Sequence, residues 1–278
     1  MTGTERHFGR APTDSESRPA VATTSPAPRV GAETIDLRAG NRNVALLIHG
    51  FADTPQTLGL LAAVIHGSGV DVRAPLLPGH GTTVADFMMS RRSDWMACVR
   101  AELAGMRTAY ERVTIIGLSM GGALAAILAA ETPDAAALVL LAPYLNMPIA
   151  HKVAAATHWI WGRLAGARQS RSPRSILDSA ERMKNLGYGV YSARLLYELW
   201  RISTQARGAL REITVPTLLV HSRADPRIAP SIAEHAFSLI GAADKKLAWA
   251  EGGGHVITVD FGRDEVFRNV TEWMAKHP

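Results

Sequence analysis

One serine of this chain stands in a pattern that could turn its hydroxyl into a nucleophile. Ser119 lies in Gly117-Leu-Ser-Met-Gly121, directly after a β-branched apolar run, 113–116, and directly before an Ala/Leu-rich run, 123–130. A serine on such a sharp strand-to-helix turn has a strained backbone. Small residues two positions before and after it let the strand and the helix approach closely. The pattern therefore predicts a nucleophile elbow at Ser119.

Two further residues could activate this serine. A serine hydroxyl needs a histidine that removes its proton and a carboxylate that orients the histidine. In chains with this elbow the order is serine, acid, histidine. Asp225 follows the apolar pattern 215–222, and His255 follows the next apolar pattern after three glycines. Both are expected at carboxyl ends of strands, where open α/β sheets bind ligands, and we predict Ser119, Asp225 and His255 as the catalytic residues.

Other acids and histidines fit these roles less well. Asp260 follows His255 too closely to face its ring easily, and Asp244 precedes a strand instead of following one. His221 is expected at a strand end beneath the site, and His49 is expected to support the loop after the first strand. The remaining alternatives lie in the segment 144–211 or on a helix surface: Asp178, His151, His158 and His235.

Two backbone amides are candidates for stabilising the charge that develops on an attacked carbonyl oxygen. One donor is normally the residue after the nucleophile, Met120. The other comes from the loop after the early strand, where Phe51 follows His49-Gly50. Asp53 is unexpected in this loop, because a carboxylate near a developing oxyanion is unfavourable unless it turns away or is paired.

Strand and helix patterns alternate along most of the chain. This alternation predicts an α/β fold with a mostly parallel sheet and helices on both faces. Ser93 is expected to cap the second helix. The expected strands are 44–48, 70–75, 113–116, 137–142, 215–222 and 246–250, and the expected helices are 57–66, 93–110, 123–130, 231–240 and 264–276.

Composition divides the chain into three parts. Residues 1–33 are rich in Ala, Pro, Ser, Thr and Arg and are predicted to be a disordered tail. Residues 34–143 and 212–278 carry the α/β pattern and form the predicted core. Residues 144–211 contain no convincing strand and are predicted to be a helical cap inserted over the carboxyl edge of the sheet.

The net charge of +5 over 278 residues belongs to one segment. Residues 144–211 contain eleven Lys and Arg against three acidic residues. Such an excess is typical of a solvated, salt-bridged cap surface whose aromatic residues pack as core. The alternative is a surface that makes peripheral contact with anionic lipid or binds anionic substrates. No recognised nucleic-acid module accompanies the charge, so we do not expect nucleic-acid binding.

Cysteine usage and apolar runs exclude several classes. The single cysteine, Cys98, excludes an intramolecular disulfide and a cysteine-based zinc site. No apolar run is long enough to span a membrane, and the N-terminus lacks the apolar region of a secretory signal. We therefore expect a cytoplasmic protein without a cysteine-based metal site, and we make no prediction of its oligomeric state.

Taken together, the motifs resemble the α/β-hydrolase superfamily and, within it, bacterial carboxylesterases and monoacylglycerol lipases. This resemblance implies an α/β-hydrolase fold with a helical cap. It also implies hydrolysis of short- to medium-chain acyl esters or monoacylglycerol-like lipids, through an acyl-serine intermediate and without a cofactor. Ser119, Asp225 and His255 match the triad of these enzymes, and Phe51 and Met120 match their oxyanion hole. The motifs are Leu47-Ile-His-Gly-Phe51, Leu77-Pro-Gly-His-Gly81, Gly117-Leu-Ser-Met-Gly-Gly122, Asp225-Pro226 and Gly254-His-Val-Ile-Thr-Val-Asp260.

Other activities of the same scaffold stay open. A thioesterase or a carbon–carbon bond hydrolase would keep this triad, whereas a dehalogenase or epoxide hydrolase would have aspartate in place of Ser119. A non-catalytic small-molecule receptor of this fold is less expected, because a receptor is free to lose a triad residue and none is lost here.

Overall fold

The computed structural model describes residues 26–159, 168–169 and 175–278. Seven strands form its central sheet in the order β1-β3-β2-β4-β5-β8-β9. The strand β1 is antiparallel to its neighbour, and every other neighbouring pair is parallel, so the predicted mostly parallel sheet is confirmed. The strands are β1 (Ile35–Leu37), β2 (Asn43–Ile48), β3 (Asp71–Ala74), β4 (Arg112–Leu118), β5 (Ala137–Leu141), β8 (Thr217–Ser222) and β9 (Lys245–Ala250).

Helices cover both faces of the sheet. One face carries α1 (Gly59–Gly67) and α9 (Arg263–Lys276). The other face carries α3 (Arg92–Ala109), α4 (Met120–Ala130), α7 (Ala193–Ala209) and α8 (Pro230–Leu239). Shorter elements are α2 (Val84–Met89) and the 3₁₀ helices Pro55–Leu58 and Leu210–Glu212.

The strand β2 shows why the sheet strands read as continuous apolar runs. Val44, Leu46 and Ile48 pack into the core on one face. Ala45 and Leu47 pack into the core on the other face. Because successive side chains of a strand point to opposite faces, a strand covered on both sides needs apolar residues at every position.

Three details of these elements differ from the sequence prediction. The short edge strand β1 and the helix α2 were not predicted. Helix α3 begins at Arg92 with Arg91 as its N-cap residue, so the prediction that Ser93 caps this helix is wrong. The carboxylate of Asp94 accepts the backbone N–H of Arg91 at 3.2 Å, and this acid in the first turn replaces the expected serine cap.

Part of the predicted tail lies on the body of the protein. The N–H of Arg29 donates to the carbonyl of Gly81 at 2.7 Å, and Ala32 is fully buried. The Arg29 guanidinium lies 4.7 Å from the centre of the Tyr188 ring. The chain therefore joins the packed body before residue 34, while residues 1–25 of the predicted tail lie outside the described residues.

The cap segment, residues 144–211, contributes α5 (Ile149–Ala156), α6 (Ser179–Lys184) and α7. Of these helices, α7 packs into the core on one face of the sheet, so the segment predicted as a cap includes a core helix. Two-residue strands, β6 (Arg168–Gln169) and β7 (Val190–Tyr191), also pair there antiparallel, which was not predicted. Residues 160–167 and 170–174 of this segment lie outside the described residues. No helix in the described part of the chain combines the length and the apolar character needed to cross a membrane.

Candidate active site

Ser119 stands between β4 and α4 in a strained backbone conformation, with φ 56° and ψ −115°. The two elements meet so closely that glycine is required on either side of the serine. A Cβ on Gly117 would lie 2.2 Å from the carbonyl oxygen of Gly121, and a Cβ on Gly121 would lie 2.0 Å from that of Ile48. The predicted elbow geometry at this serine is therefore present.

The structure brings the three predicted catalytic side chains together. The Nε2 atom of His255 lies 2.8 Å from the Oγ of Ser119, and its Nδ1 lies 2.7 Å from Oδ2 of Asp225. The other oxygen of Asp225 accepts the backbone N–H groups of Arg227 and Ile228 at 2.7 and 3.0 Å. Burial alone would raise the pKa of Asp225, but the hydrogen bond and charge of His255 and these two amides lower it below its ordinary value.

Asp260 has a positioning role that sequence reasoning missed. Its buried carboxylate accepts the backbone N–H groups of Gly254, Leu177 and Asp178 at 2.7, 2.7 and 2.8 Å. These bonds fix the residue before His255 and tie the cap segment to the same loop. The only sequence signal for this role was that Asp260 stands five residues after the candidate histidine, His255. The local sequence does not show that its partners include Leu177 and Asp178.

The loop carrying Phe51 lies against the nucleophile. A Cβ on Gly50 would lie 3.4 Å from the Cβ of Ser119. In the described part of the chain, the backbone N–H groups of Phe51 and Met120 donate to no other group, so both remain available to an oxyanion. The ring of Phe51 packs edge-to-face on Phe87 at 5.1 Å between centroids, which holds the loop in place.

His49 supports this loop, as expected from the sequence. Its Nε2 accepts the backbone N–H of Leu77 at 3.1 Å, and its Nδ1 lies 2.9 Å from the carbonyl of Gly50. Burial lowers the pKa of His49 to about 4, so the ring is neutral at physiological pH. His49 is therefore a fixed link between two loops and not a proton carrier.

Asp53 is paired with the cap segment, which resolves the conflict seen in the sequence. Its carboxylate accepts the N–H of Thr54 at 2.9 Å and the side-chain amide of Asn185 at 3.3 Å. Burial raises the pKa of Asp53 to about 6, although these hydrogen bonds oppose the shift. Next to it, Ala52 has φ 58° and its carbonyl accepts the N–H of Tyr188 at 2.8 Å, so the loop carrying Phe51 is tied to the cap segment twice.

The alternatives to the triad lie elsewhere or support it. His221 is buried at the end of β8, with Nε2 3.0 Å from the carbonyl of Ile228 and 3.6 Å from Asp225. Burial raises the pKa of the Cys98 thiol, which keeps it protonated. Of the other acids, Asp178 caps α6 and Asp244 pairs with Lys276. Of the other histidines, His158 stacks on Tyr197 and His235 is exposed on α8. His151 lines the cavity beside the site.

The family model described as "Hydrolase_4: Serine aminopeptidase, S33" matches residues 39–261. The chain belongs to this family.

Two relatives of this Hydrolase_4 chain have stated activities. A thermostable monoacylglycerol lipase of Bacillus sp. (strain H-257) is 29% identical over 234 residues, covering 84% of this chain and 90% of that protein. A carboxylesterase of Bacillus subtilis (strain 168) is 26% identical over 243 residues, covering 85% of this chain and 94% of that protein.

A solved structure of lipolytic enzymes is also similar to this chain. A structure reported for LipS and LipT, two metagenome-derived lipolytic enzymes, aligns with a TM-score of 0.82 and 28% identity, covering 89% of this chain and 98% of that one. The predicted resemblance to α/β-hydrolase esterases and monoacylglycerol lipases is confirmed.

A cavity of about 750 Å³ opens above Ser119 in this Hydrolase_4 chain. One part of its wall is apolar and comes mostly from the cap segment: Pro148, Val190, Leu196 and Leu199, with Phe51 and Val256 from the core. Another part is polar. In the described part of the chain, no three His, Cys, Asp or Glu side chains are grouped as metal ligands would be.

Proposed function

We propose that this chain hydrolyses carboxylic esters through an acyl-serine intermediate, with short- to medium-chain acyl esters or monoacylglycerol-like lipids as substrates. The observation that carries the proposal is the continuous hydrogen-bond chain Ser119–His255–Asp225 at a cavity with an apolar wall. The stated activities of the similar monoacylglycerol lipase and carboxylesterase support the ester class.

The first half of the reaction acylates Ser119. The hydroxyl donates its proton to Nε2 of His255 while Oγ attacks the ester carbonyl carbon. Asp225 stabilises the imidazolium that forms, and the backbone N–H groups of Phe51 and Met120 stabilise the oxyanion. The tetrahedral intermediate collapses when His255 gives its proton to the leaving alcohol, which departs and leaves an acyl-serine.

The second half releases the acid. A water molecule takes the place of the alcohol and gives a proton to His255 as it attacks the acyl carbon. The second tetrahedral intermediate uses the same two N–H donors. Collapse returns the proton to Oγ of Ser119 and frees the carboxylic acid, so no cofactor enters the balance.

The alternative activities differ in the chemical group of the substrate that the cavity must bind. A thioesterase or a carbon–carbon bond hydrolase would use the same triad, so only turnover separates these activities from ester cleavage. The family description also names a serine aminopeptidase, whose substrate presents an α-ammonium group. The described cavity wall carries Arg182 and Arg227 against one carboxylate, Asp53, and this balance disfavours a cationic group.

A substrate panel tests the proposed function. The wild-type chain is assayed with acyl esters of increasing length, monoacylglycerols, thioesters and aminoacyl amides, and kcat/KM is compared. We expect the highest values for esters with an acyl chain that fills the apolar wall. Higher values for thioesters or for aminoacyl amides than for every ester would contradict the proposal.

Two finer expectations from the sequence stay proposals. We propose that the basic cap segment makes peripheral contact with anionic lipid. The apolar side chains Ile149, Val153 and Trp159 are 78%, 59% and 72% exposed, and they lie close in sequence to Pro148 and His151, which line the cavity. These exposed side chains support the contact. A cytoplasmic location stays a prediction of the sequence.

A further inference from the structure

Two arginines line the cavity without a carboxylate partner. Arg182 and Arg227 form no ion pair with any described residue, whereas Arg73, Arg92 and Arg100 each pair with a glutamate. Partial burial lowers the pKa of Arg227, and the Asp225 carboxylate opposes this shift from a distance, but the two side chains form no ion pair. A guanidinium without an ion pair retains N–H donors that can bind an anion. The only acid among the described residues of the cavity wall is Asp53, and hydrogen bonds from Thr54 and Asn185 already hold its carboxylate.

Both arginines are anchored on one strip of chain beside the catalytic histidine. Nε of Arg227 donates to Oγ of Ser175 at 2.7 Å. Nη1 of Arg182 donates to the carbonyl of Ile176 at 3.1 Å. The backbone N–H of His255 donates to the carbonyl of the same Ser175 at 2.8 Å. The two guanidinium groups therefore approach the cavity from the side on which His255 stands.

The donors that remain on this side point to an anionic group. Among the described residues, both terminal nitrogens of Arg227 and Nη2 of Arg182 have no hydrogen-bond partner. The hydroxyl of Tyr144, another cavity residue, has none either. Burial raises the pKa of Tyr144 to about 12, against the effect of the Arg227 charge, so this hydroxyl keeps its proton and can donate.

We propose that Arg227, Arg182 and Tyr144 form an anion subsite that binds a carboxylate or phosphate group of the substrate. The proposal rests on the proposed function and narrows it to esters that carry an oxyanion some atoms away from the scissile carbonyl. Guanidinium groups bind such oxyanions through paired N–H donors. Arg182 is half-buried and Arg227 is exposed, so solvent screens an attached anion less at Arg182 than at Arg227.

Matched substrates test this subsite. For the carboxylate, the mono-4-nitrophenyl ester of adipic acid is compared with 4-nitrophenyl hexanoate, which has the same number of acyl carbons and no charge. For the phosphate, 1-acylglycerol 3-phosphate is compared with the 1-acylglycerol of the same chain. The measured quantity is the ratio of kcat/KM for the anionic substrate to that for its neutral partner, and the two pairs show which oxyanion the subsite accepts.

The variants are Arg227→Gln and Arg182→Gln, with Arg223→Gln as the control. Arg223 lies in the same turn as Arg227, but it pairs with Glu251 at 3.3 Å and does not line the cavity. We expect the wild-type ratio to exceed one for at least one pair and to fall about tenfold in each of the two variants. Arg223→Gln is expected to keep the wild-type ratio.

Two results would overturn the subsite: a wild-type ratio below one for both pairs, or a ratio that neither variant lowers. Both leave ester hydrolysis intact and so differ from failure of the proposed function, in which no ester is cleaved. A binding measurement tests the subsite independently of turnover. By calorimetry, Ser119→Ala protein should bind monomethyl adipate more tightly than dimethyl adipate, and adding Arg227→Gln should remove the difference; equal binding of both by Ser119→Ala would count against the subsite.

Discussion

Asp53 places a buried carboxyl group in the loop that carries the Phe51 N–H donor. Its pKa of about 6 means that the group is largely ionised at neutral pH, at a cost caused by burial. The Asn185 amide and the Thr54 N–H compensate part of this cost. At the scale of single residues, the site therefore depends on side chains outside the triad that hold its loops.

The first prediction concerns stability and pH at Asp53. Because its pKa is raised from 3.8 to about 6, the native state binds this proton more tightly than the unfolded chain. The resulting stabilisation is fully present below the unfolded-state pKa and is lost as the pH rises through about 6. Between about pH 5 and about pH 8, we expect the wild type to lose about 1 kcal/mol more unfolding free energy than Asp53→Asn.

Urea unfolding at the two pH values measures this difference. Asp134→Asn is the matched control, because this exposed carboxylate pairs with Arg107 on the surface. The control should show the same pH dependence as the wild type. Parallel pH dependence of Asp53→Asn and the wild type would mean that the Asp53 carboxyl group is not perturbed.

The triad could be predicted at this scale, but the partners of its loops could not. The elbow at Ser119 is a local pattern, and the acid and histidine follow it in a fixed order. Asn185, in contrast, stands 132 residues from Asp53, and nothing near either residue indicates that they meet. The only sequence signal was the carboxylate of Asp53 at a position where a negative charge is unfavourable. Such a carboxylate must have a partner, but the sequence does not show which residue that partner is.

At the scale of elements, the contact between β2, β4 and α4 fixes the position of Ser119. We predict that Gly121→Ala lowers the free energy of unfolding by about 1–3 kcal/mol, because the new methyl group meets the backbone of β2 at Ile48. Gly105→Ala is the control on the exposed side of α3, where a Cβ meets nothing within 4 Å. This control should gain about 0.5–1 kcal/mol. Equal effects of the two substitutions in chemical denaturation would disprove the close contact.

The Asp260 carboxylate is predicted to hold the β9–α9 connection in its active shape. In Asp260→Asn, an NH₂ group would face backbone N–H donors, so we expect a loss of about 2 kcal/mol of unfolding free energy. We also expect a lower kcat, because Gly254 loses its anchor beside His255. Thermal unfolding and ester turnover measure the two effects. Asp264→Asn, an exposed position in the first turn of α9, should change neither; an Asp260→Asn protein as stable and active as the wild type would contradict this role.

Element prediction succeeded where the signal was periodic and failed where it was short. The strands 44–48 and 137–142 were found because an apolar run covered on both faces is unmistakable in sequence. The strand β1 has three residues and alternates only once, so its pairing with β3 is set by tertiary contact. The N-terminus of α3 was misplaced because Ser93 and Asp94 are both good first-turn residues, and the acid makes the capping bond.

At the scale of the whole molecule, the uneven charge predicts how the protein meets a lipid surface. We expect binding to vesicles to rise with their content of anionic lipid and to weaken as salt screens the charges. Val153→Ser should reduce this binding, because Val153 is exposed on α5 in the basic cap segment. Val64→Ser, also an exposed valine but on α1, is the control. Equal sedimentation with neutral and anionic vesicles would rule out the electrostatic contribution.

The segment 26–33 is the described part of the predicted tail, and sequence reasoning misplaced it. Its composition favours disorder, yet the N–H of Arg29 donates to the carbonyl of Gly81 and the Arg29 guanidinium lies over the ring of Tyr188. The N–H of Tyr188 in turn donates to the carbonyl of Ala52 in the loop carrying Phe51. Local composition carries no information about such distant partners. The fold class followed from alternation along the chain, whereas these contacts depend on the three-dimensional arrangement that the alternation produces.

The most direct test of the proposed acyl-serine mechanism is ester hydrolysis by Ser119→Ala. Its kcat/KM for the best ester of the substrate panel should fall by about 10,000-fold or more, because removal of the nucleophile prevents formation of the acyl-serine. Ser238→Ala, an exposed serine on α8, should keep wild-type activity. Folded Ser119→Ala protein that hydrolyses the ester at the wild-type rate would contradict the central claim.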